Sequence, residues 1–191
     1  DLLCLEAATG KVAWSKNLER DYGGRMMSSW MWSESPLVDG DRLVFTPGAR
    51  DAALMAVDKA TGRDVWRAAT PDLGPKGRDG AGYSSIVISN GAGVKQYVQL
   101  LGRGLVGIRA SDGKFLWGHN GVANGVANIS TPLVRANWVF ASTGYQTGSA
   151  LLELQAQGDG VAARELYFLD AKTLQNHHGG LVLVGNHVYA G

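Results

Sequence analysis

Apolar residues in this chain come in short runs that stop at Gly, Asp or Asn, as in LLCLEAATGKVAW (Leu2 to Trp14) and SPLVDGDRLVFT (Ser35 to Thr46). Long segments with the 3.6-residue amphipathic period of a helix are missing. The pattern predicts an all-β chain of short strands joined by tight turns.

The runs repeat. EAATGKVAW (Glu6 to Trp14), DKATGRDVW (Asp58 to Trp66) and RASDGKFLW (Arg109 to Trp117) each place Trp four residues after Gly, at spacings of 52 and 51 residues. A worn fourth copy is expected in ALLELQAQGDGVAARELY, with Leu151 to Leu154 as strand, Gly160 as turn glycine and Tyr167 in the place of Trp. A second half-repeat interleaves with the first: SPLVDGDRLVFT, SIVISNGAGVKQYVQL, TPLVRANWVFAS and GLVLVGNHVYAG, in which Pro36, Ile86, Pro132 and Leu181 are equivalent at spacings of 50, 46 and 49. Each unit of about 50 residues therefore supplies four short strands, the period and strand count of β-propeller blades. Asp58 and, more weakly, Thr9 and Thr61 are expected to hold their turns by side-chain hydrogen bonds, with Gly10, Gly62 and Gly113 supplying positive φ. Trp14, Trp66 and Trp117 end the last strand of each unit, where a large ring can dock on the neighbouring blade.

The D-x-x-T-G-x-x-x-W pattern at Asp58 to Trp66, together with SPLVDGDRLVF, resembles the repeat of the pyrroloquinoline-quinone-like (PQQ-like) β-propeller superfamily, and the resemblance covers nearly the whole chain. TPLVRANWVFASTGYQTGSALLEL and LQNHHGG are most similar to bacterial PQQ-binding-like repeat proteins. The superfamily includes quinoprotein alcohol dehydrogenases, which bind PQQ and calcium, and the propeller lipoprotein of the outer-membrane barrel assembly machinery, which binds protein partners without a cofactor. Residues 1–191 are expected to be one partial propeller domain with blades at 1–20 (half), 27–70, 80–119, 126–170 and 176–191 (half), about four blade-equivalents in all. The resemblance implies a seven- or eight-bladed whole, its remaining blades coming from a missing part of the chain or from a second copy; the two halves pairing into a four-bladed ring is the other option. The chain opens with Asp in the middle of a patterned strand, which points to an excerpt.

Composition narrows the functions. Eighteen Lys and Arg stand against 17 Asp and Glu and are scattered, so nothing suggests a nucleic-acid partner. No apolar run approaches the roughly 18 residues of a transmembrane segment, and no signal-peptide pattern is present. The single cysteine, Cys4, excludes an intrachain disulfide and is expected to be a small buried residue. GRGLVG (Gly102 to Gly107) fits the dinucleotide fingerprint G-x-G-x-x-G, yet a repeat strand and turn follow it where a helix is required, so these glycines are expected to turn between the second and third strands of a blade.

The candidate site is the mouth of the central channel. Four residues before Pro36, Ile86, Pro132 and Leu181 stand Trp32, Gly82, Asn128 and His177, and one residue later come Ser33, Tyr83, Ile129 and His178. These positions differ from copy to copy where strands and turns recur, as channel-mouth binding residues or tolerant loops would. Trp32, Ser33, Tyr83, Asn128, Asn176, His177 and His178 are the binding candidates. Adjacent histidines on an extended segment point to opposite sides, so no metal site is assigned; a hydrogen-bonding role for Asn176 or His177 is preferred. Trp30 and Trp32 are spaced to share one strand face and are read as core.

No catalytic residue is assigned. The adjacent Cys-Cys pair and calcium-ligand cluster that the resemblance implies for a dehydrogenase are missing here, and Glu34 is the only carboxylate close to the start of an inner strand. The favoured reading is a non-catalytic propeller that binds a protein partner, periplasmic or at the outer membrane by resemblance, with no cofactor. A fragment of a PQQ- and Ca2+-dependent alcohol or sugar dehydrogenase is the alternative, and a sensor domain attached to another enzyme is a third.

Overall fold

A computed structural model describes residues 1–191. Three four-stranded antiparallel sheets follow one another along the chain, each ordered by sequence from its first strand to its last. The first contains β3 (Leu37–Asp39), β4 (Arg42–Phe45), β5 (Leu54–Asp58) and β6 (Asp64–Ala68). The second contains β7 (Val87–Ser89), β8 (Gln96–Leu101), β9 (Gly104–Arg109) and β10 (Phe115–His119), and the third β11 (Leu133–Arg135), β12 (Trp138–Thr143), β13 (Gly148–Gln157) and β14 (Gly160–Asp170). Before them lies a two-stranded sheet of β1 (Leu2–Leu5) and β2 (Val12–Lys16), and after them another of β15 (Val182–Val184) and β16 (His187–Tyr189). These are propeller blades and half-blades. The terminal halves are separate sheets, so they do not pair into a closed four-bladed ring. One helical turn, α1 (Leu18–Tyr22), is too short to leave an amphipathic period; Asn17 caps it by accepting from the Arg20 N–H and Gly23 ends it in the left-handed region.

The blades meet through apolar clusters. Leu54, Ala56 and Trp66 join Tyr97, Val106 and Ile108 between the first two full blades. Val98, Leu105 and Trp117 join Val139, Leu152 and Leu154 between the second and third. Met55 and Val57, on the other face of β5, join Phe45 and Tyr22, with Leu2 and Trp14 packed on from the preceding half-blade. Alternation along a strand thus gives one face to each neighbouring blade.

The register repeats with the sequence. In each outer hairpin the tryptophan sits beside a bulge: Cys4 pairs with Trp14 and Leu5 with Val12, Ala56 with Trp66 and Val57 with Asp64, Gly107 with Trp117 and Ile108 with Phe115. The skipped residue bends the strand and leans the indole over a small partner. Trp14 donates to the Lys59 carbonyl at 3.1 Å and Trp66 to the Ala110 carbonyl at 3.2 Å, each in the next blade's turn. Gly62 (φ 71°) and Gly113 (φ 76°) close those turns, and a Cβ on either would stand 2.9 or 2.7 Å from the arriving indole. Left-handed backbone and ring clearance both require glycine here.

Trp117 departs from the docking expected of it. Its N–H donates to Gln96 Oε1 of its own blade at 2.6 Å, because the turn glycine of the next blade, Gly158, lies out along a longer hairpin with no indole against it. In that blade Tyr167 holds the bulge position, opposite Leu151, and the hairpin runs on to a turn at Gly158 (φ 56°) rather than at Gly160, which begins β14. The Asp-to-Thr turn bond made by Asp58 with Thr61 reappears after β14, where Asp170 accepts from Thr173. Gly102 and Arg103 turn between β8 and β9, the second and third strands of their blade. Cys4 is half-buried in β1, not enclosed.

Candidate functional site

The four inner strands begin at Leu37, Val87, Leu133 and Val182, and just ahead of them the chain passes from blade to blade. Backbone and hydroxyl groups knit these passages together: the Ser35 N–H donates to Ser85 Oγ (2.9 Å) and the Ser85 N–H to Thr131 Oγ1 (3.0 Å). At the next equivalent position stands Gly180, which has no hydroxyl to continue the relay.

Four residues before each inner strand, one side chain from every unit faces a common cavity of about 230 Å³: Ser33, Tyr83, Ile129 and His178. Trp30, Ala127 and Tyr145 complete its wall. Trp30 is 54% exposed and stands edge-on to Tyr83 with ring centroids 6.0 Å apart. The Tyr83 hydroxyl is held by Ser28 Oγ at 2.6 Å, and Ser28 is anchored to the Val126 carbonyl. Tyr145 is 40% exposed and occupies the β12–β13 turn with Gln146, both in the left-handed region at φ 55° and 60°. Two non-glycine residues there cost on the order of 1–2 kcal/mol each. The strained turn is held by Gln175, whose Oε1 accepts from the Gln146 N–H, and it sets the Tyr145 ring edge-on to His177 at 4.5 Å.

The neighbouring positions turn inward and support this wall. Trp32 donates its indole N–H to the Thr46 carbonyl at 3.0 Å and is half-buried. Trp30 and Trp32 therefore do not share a buried face: residues 29–36 form no strand, and Trp30 belongs to the cavity. Asn128 is fully buried, donating to the Leu101 and Gly102 carbonyls and accepting from the Asn124 N–H. Gly82 packs so closely against Leu100 and Asn128 that a side chain would collide with their carbonyls. Asn176 is buried beside Gly179, away from the cavity, and its amide has no hydrogen-bond partner in the chain. His177 and His178 are both exposed, but their rings do not point to opposite sides: they lie 3.7 Å apart at 38°, because residues 174–181 bend instead of extending. His177 packs on Gly144 and Tyr145, and His178 takes the cavity side.

Beneath the mouth sits Glu34. Its carboxyl accepts from the Thr46 N–H and Oγ1 (2.6 Å) and from Gln99 Nε2 (3.0 Å); Gln99 in turn is fixed by Ser84 Oγ at 2.7 Å. Burial pushes the Glu34 carboxyl up to about 7, against these donors, and no cation lies among its partners. The cavity wall itself contains no Asp, Glu, Arg or Lys. It is an aromatic and aliphatic surface with hydroxyl and imidazole tips, suited to apolar contact and short-range hydrogen bonding rather than to proton transfer on a charged substrate.

Register alone separates the cavity-facing candidates from the inward-facing ones. Tyr145 carried no signal in the sequence, since a left-handed turn built without glycine is invisible there, and Trp30 was concealed by its strand-like spacing to Trp32. A family profile described as outer membrane protein assembly factor BamB matches residues 1–191. No curated protein matches the chain.

Proposed function

The chain belongs to the PQQ-like repeat family described as outer membrane protein assembly factor BamB, and from that premise we propose that it is a non-catalytic propeller of the bacterial cell envelope that binds a protein partner at its channel mouth. The observation that carries this reading is the cavity wall: an exposed Trp and Tyr with Tyr83, Ile129 and His178, and no charged group. Aromatic side chains with polar tips, set on a rigid frame, are the residues on which protein interfaces concentrate their binding energy. A periplasmic or outer-membrane location goes with the family reading.

The quinone of the dehydrogenase branch does not fit these residues. It is a tricarboxylate bound together with calcium, and the wall offers neither cations for its carboxylates nor carboxylates for the metal.

A photo-crosslinking residue at Ser33 tests the proposal in intact cells, with the same residue at Asp112, in the turn before β10, as control. One discrete adduct is expected from position 33 and none from 112, and Trp30→Ala should remove it. Saturable binding of PQQ with Ca2+ by the purified protein, with no adduct at position 33, would overturn the proposal in favour of the dehydrogenase reading.

A further inference from the structure

Over the junction of the first two full blades the backbone gathers four passages that are distant in sequence. The Arg25 N–H donates to the Pro47 carbonyl (3.0 Å), the Ala81 N–H to the Arg25 carbonyl (2.8 Å) and the Gly102 N–H to the Gly80 carbonyl (2.9 Å). A Cβ on Gly48 would collide with the Arg25 carbonyl and one on Gly80 with the Met26 backbone, so this approach needs glycine at both. The passages set Arg25, Arg50 of the β4–β5 loop and Arg103 of the β8–β9 turn around one carboxylate, Asp79. Basic residues that are scattered along the sequence thus form a cluster.

Asp79 does not use up what surrounds it. Arg103 donates its Nε to Asp79 Oδ1 and its Nη1 to the Gly74 carbonyl (2.8 Å). Arg25 donates one N–H to Asp79 Oδ2 at 3.0 Å, while the Arg50 Nε stands 3.9 Å from the same oxygen, beyond hydrogen-bond reach. The Arg25 and Arg50 side chains are 53% and 62% exposed, and a guanidinium carries five N–H donors, so most of their donor capacity faces solvent. Asp72 acts on Arg103 through space but is occupied by the Gly74 N–H, and Asp51 pairs with Arg67. Arg103 first, with Arg25 and Arg50, holds the Asp79 carboxyl below its ordinary range, so three positive charges meet one resident negative charge. Between Arg50, Arg103 and Asp79 a recess of about 30 Å³, walled by Ala49, Thr70 and Pro71, has room for one small polar group and not for a base or a sugar.

We propose that Arg25, Arg50 and Arg103 are a docking site for an acidic segment of a protein partner, whose Asp or Glu carboxylate takes Arg25 and Arg50 from Asp79. Guanidiniums mounted on a fixed backbone are matched to carboxylates and give up little freedom on binding them. In an antiparallel blade the turn between the second and third strands lies at the end where the first strand begins, so the cluster faces the same side as the channel mouth without lining its cavity. The site lies between two complete blades, and it does not depend on what the cavity binds.

A fluorescein-labelled peptide of alternating Glu and Ser, titrated with the purified chain and followed by anisotropy, tests the site. Saturable binding is expected, weakening as salt is raised from about 50 to about 500 mM. Arg50→Gln, which removes no hydrogen bond to Asp79, should leave the unfolding temperature unchanged and weaken binding about three- to fivefold. Asp79→Asn removes the resident competitor and should tighten binding about threefold, where a merely structural Asp79 would give a loss; if that variant unfolds at a lower temperature, the Arg50→Gln result alone decides. No saturation below about 1 mM peptide, equal binding by Arg50→Gln and the parent chain, or capture of the chain by phosphatidylglycerol vesicles in place of the peptide would each overturn the proposal.

Discussion

Replacing Glu34 with Gln should flatten the pH dependence of folding stability between pH 5 and pH 8. In the folded chain the carboxyl titrates at about 7, against an ordinary value of 4.5. Because the folded value is raised, the contribution is fully present below the unfolded value and is lost as pH climbs toward the folded one. Over that interval the unfolded chain ionises freely, while the folded chain must keep the proton or bury a charge. A shift of this size amounts to about 3 kcal/mol, and between pH 5 and 8, with the residue's remaining solvent contact allowed for, to about 2 kcal/mol. Gln keeps the acceptor for the Thr46 N–H but turns an N–H toward Gln99 Nε2, so the variant should be less stable at every pH, and the informative quantity is the slope. Urea unfolding of both proteins across the interval measures it; the histidines cancel in the difference. Parallel curves for the two proteins would refute the buried, uncompensated carboxyl.

Gly62→Ala should cost more than Gly10→Ala, by about 1–2 kcal/mol in urea unfolding: both residues have positive φ, but only Gly62 has an indole within 3 Å of the added methyl. Trp66→Ala should cost about 3–5 kcal/mol, while Trp66→Phe should lose less, keeping part of the packing and giving up the bond to the Ala110 carbonyl, as thermal unfolding would show. His177→Ala should change stability by less than about 1 kcal/mol, since the ring is exposed and packs on Tyr145, His178 and Gly144; a larger loss in the same assay would make it a packing residue.

The blades were legible because their determinants are local and recur: a turn glycine, a carboxylate or threonine beside it, and a tryptophan four residues on. Where one determinant changed, legibility failed with it. The third full blade moves its turn outward along a longer hairpin, so Gly158 fills the role the repeat predicts for Gly160, and Trp117 has no landing place. At the mouth, aligning the copies on Pro36, Ile86, Pro132 and Leu181 marks two adjacent positions in each unit, of which Ser33, Tyr83, Ile129 and His178 line the cavity and Trp32, Gly82, Asn128 and His177 do not. The conformations between blades were not legible. Residues 29–36 and 174–181 follow paths set by packing on Thr46, Gly144 and Tyr83 rather than by a period, and so the exposure of Trp30 and the stacking of His177 on His178 had no trace in the sequence.

Ser33, Tyr83, Ile129 and His178 reach one cavity from four separate units, each just ahead of the inner strand of its own hydrogen-bonded sheet. A substitution at any one of them leaves the other three walls and all the supporting strands in place. Duplicated copies that began alike could thus diverge one wall at a time, and a change of partner needs no change of scaffold. The cavity wall is inherited in quarters.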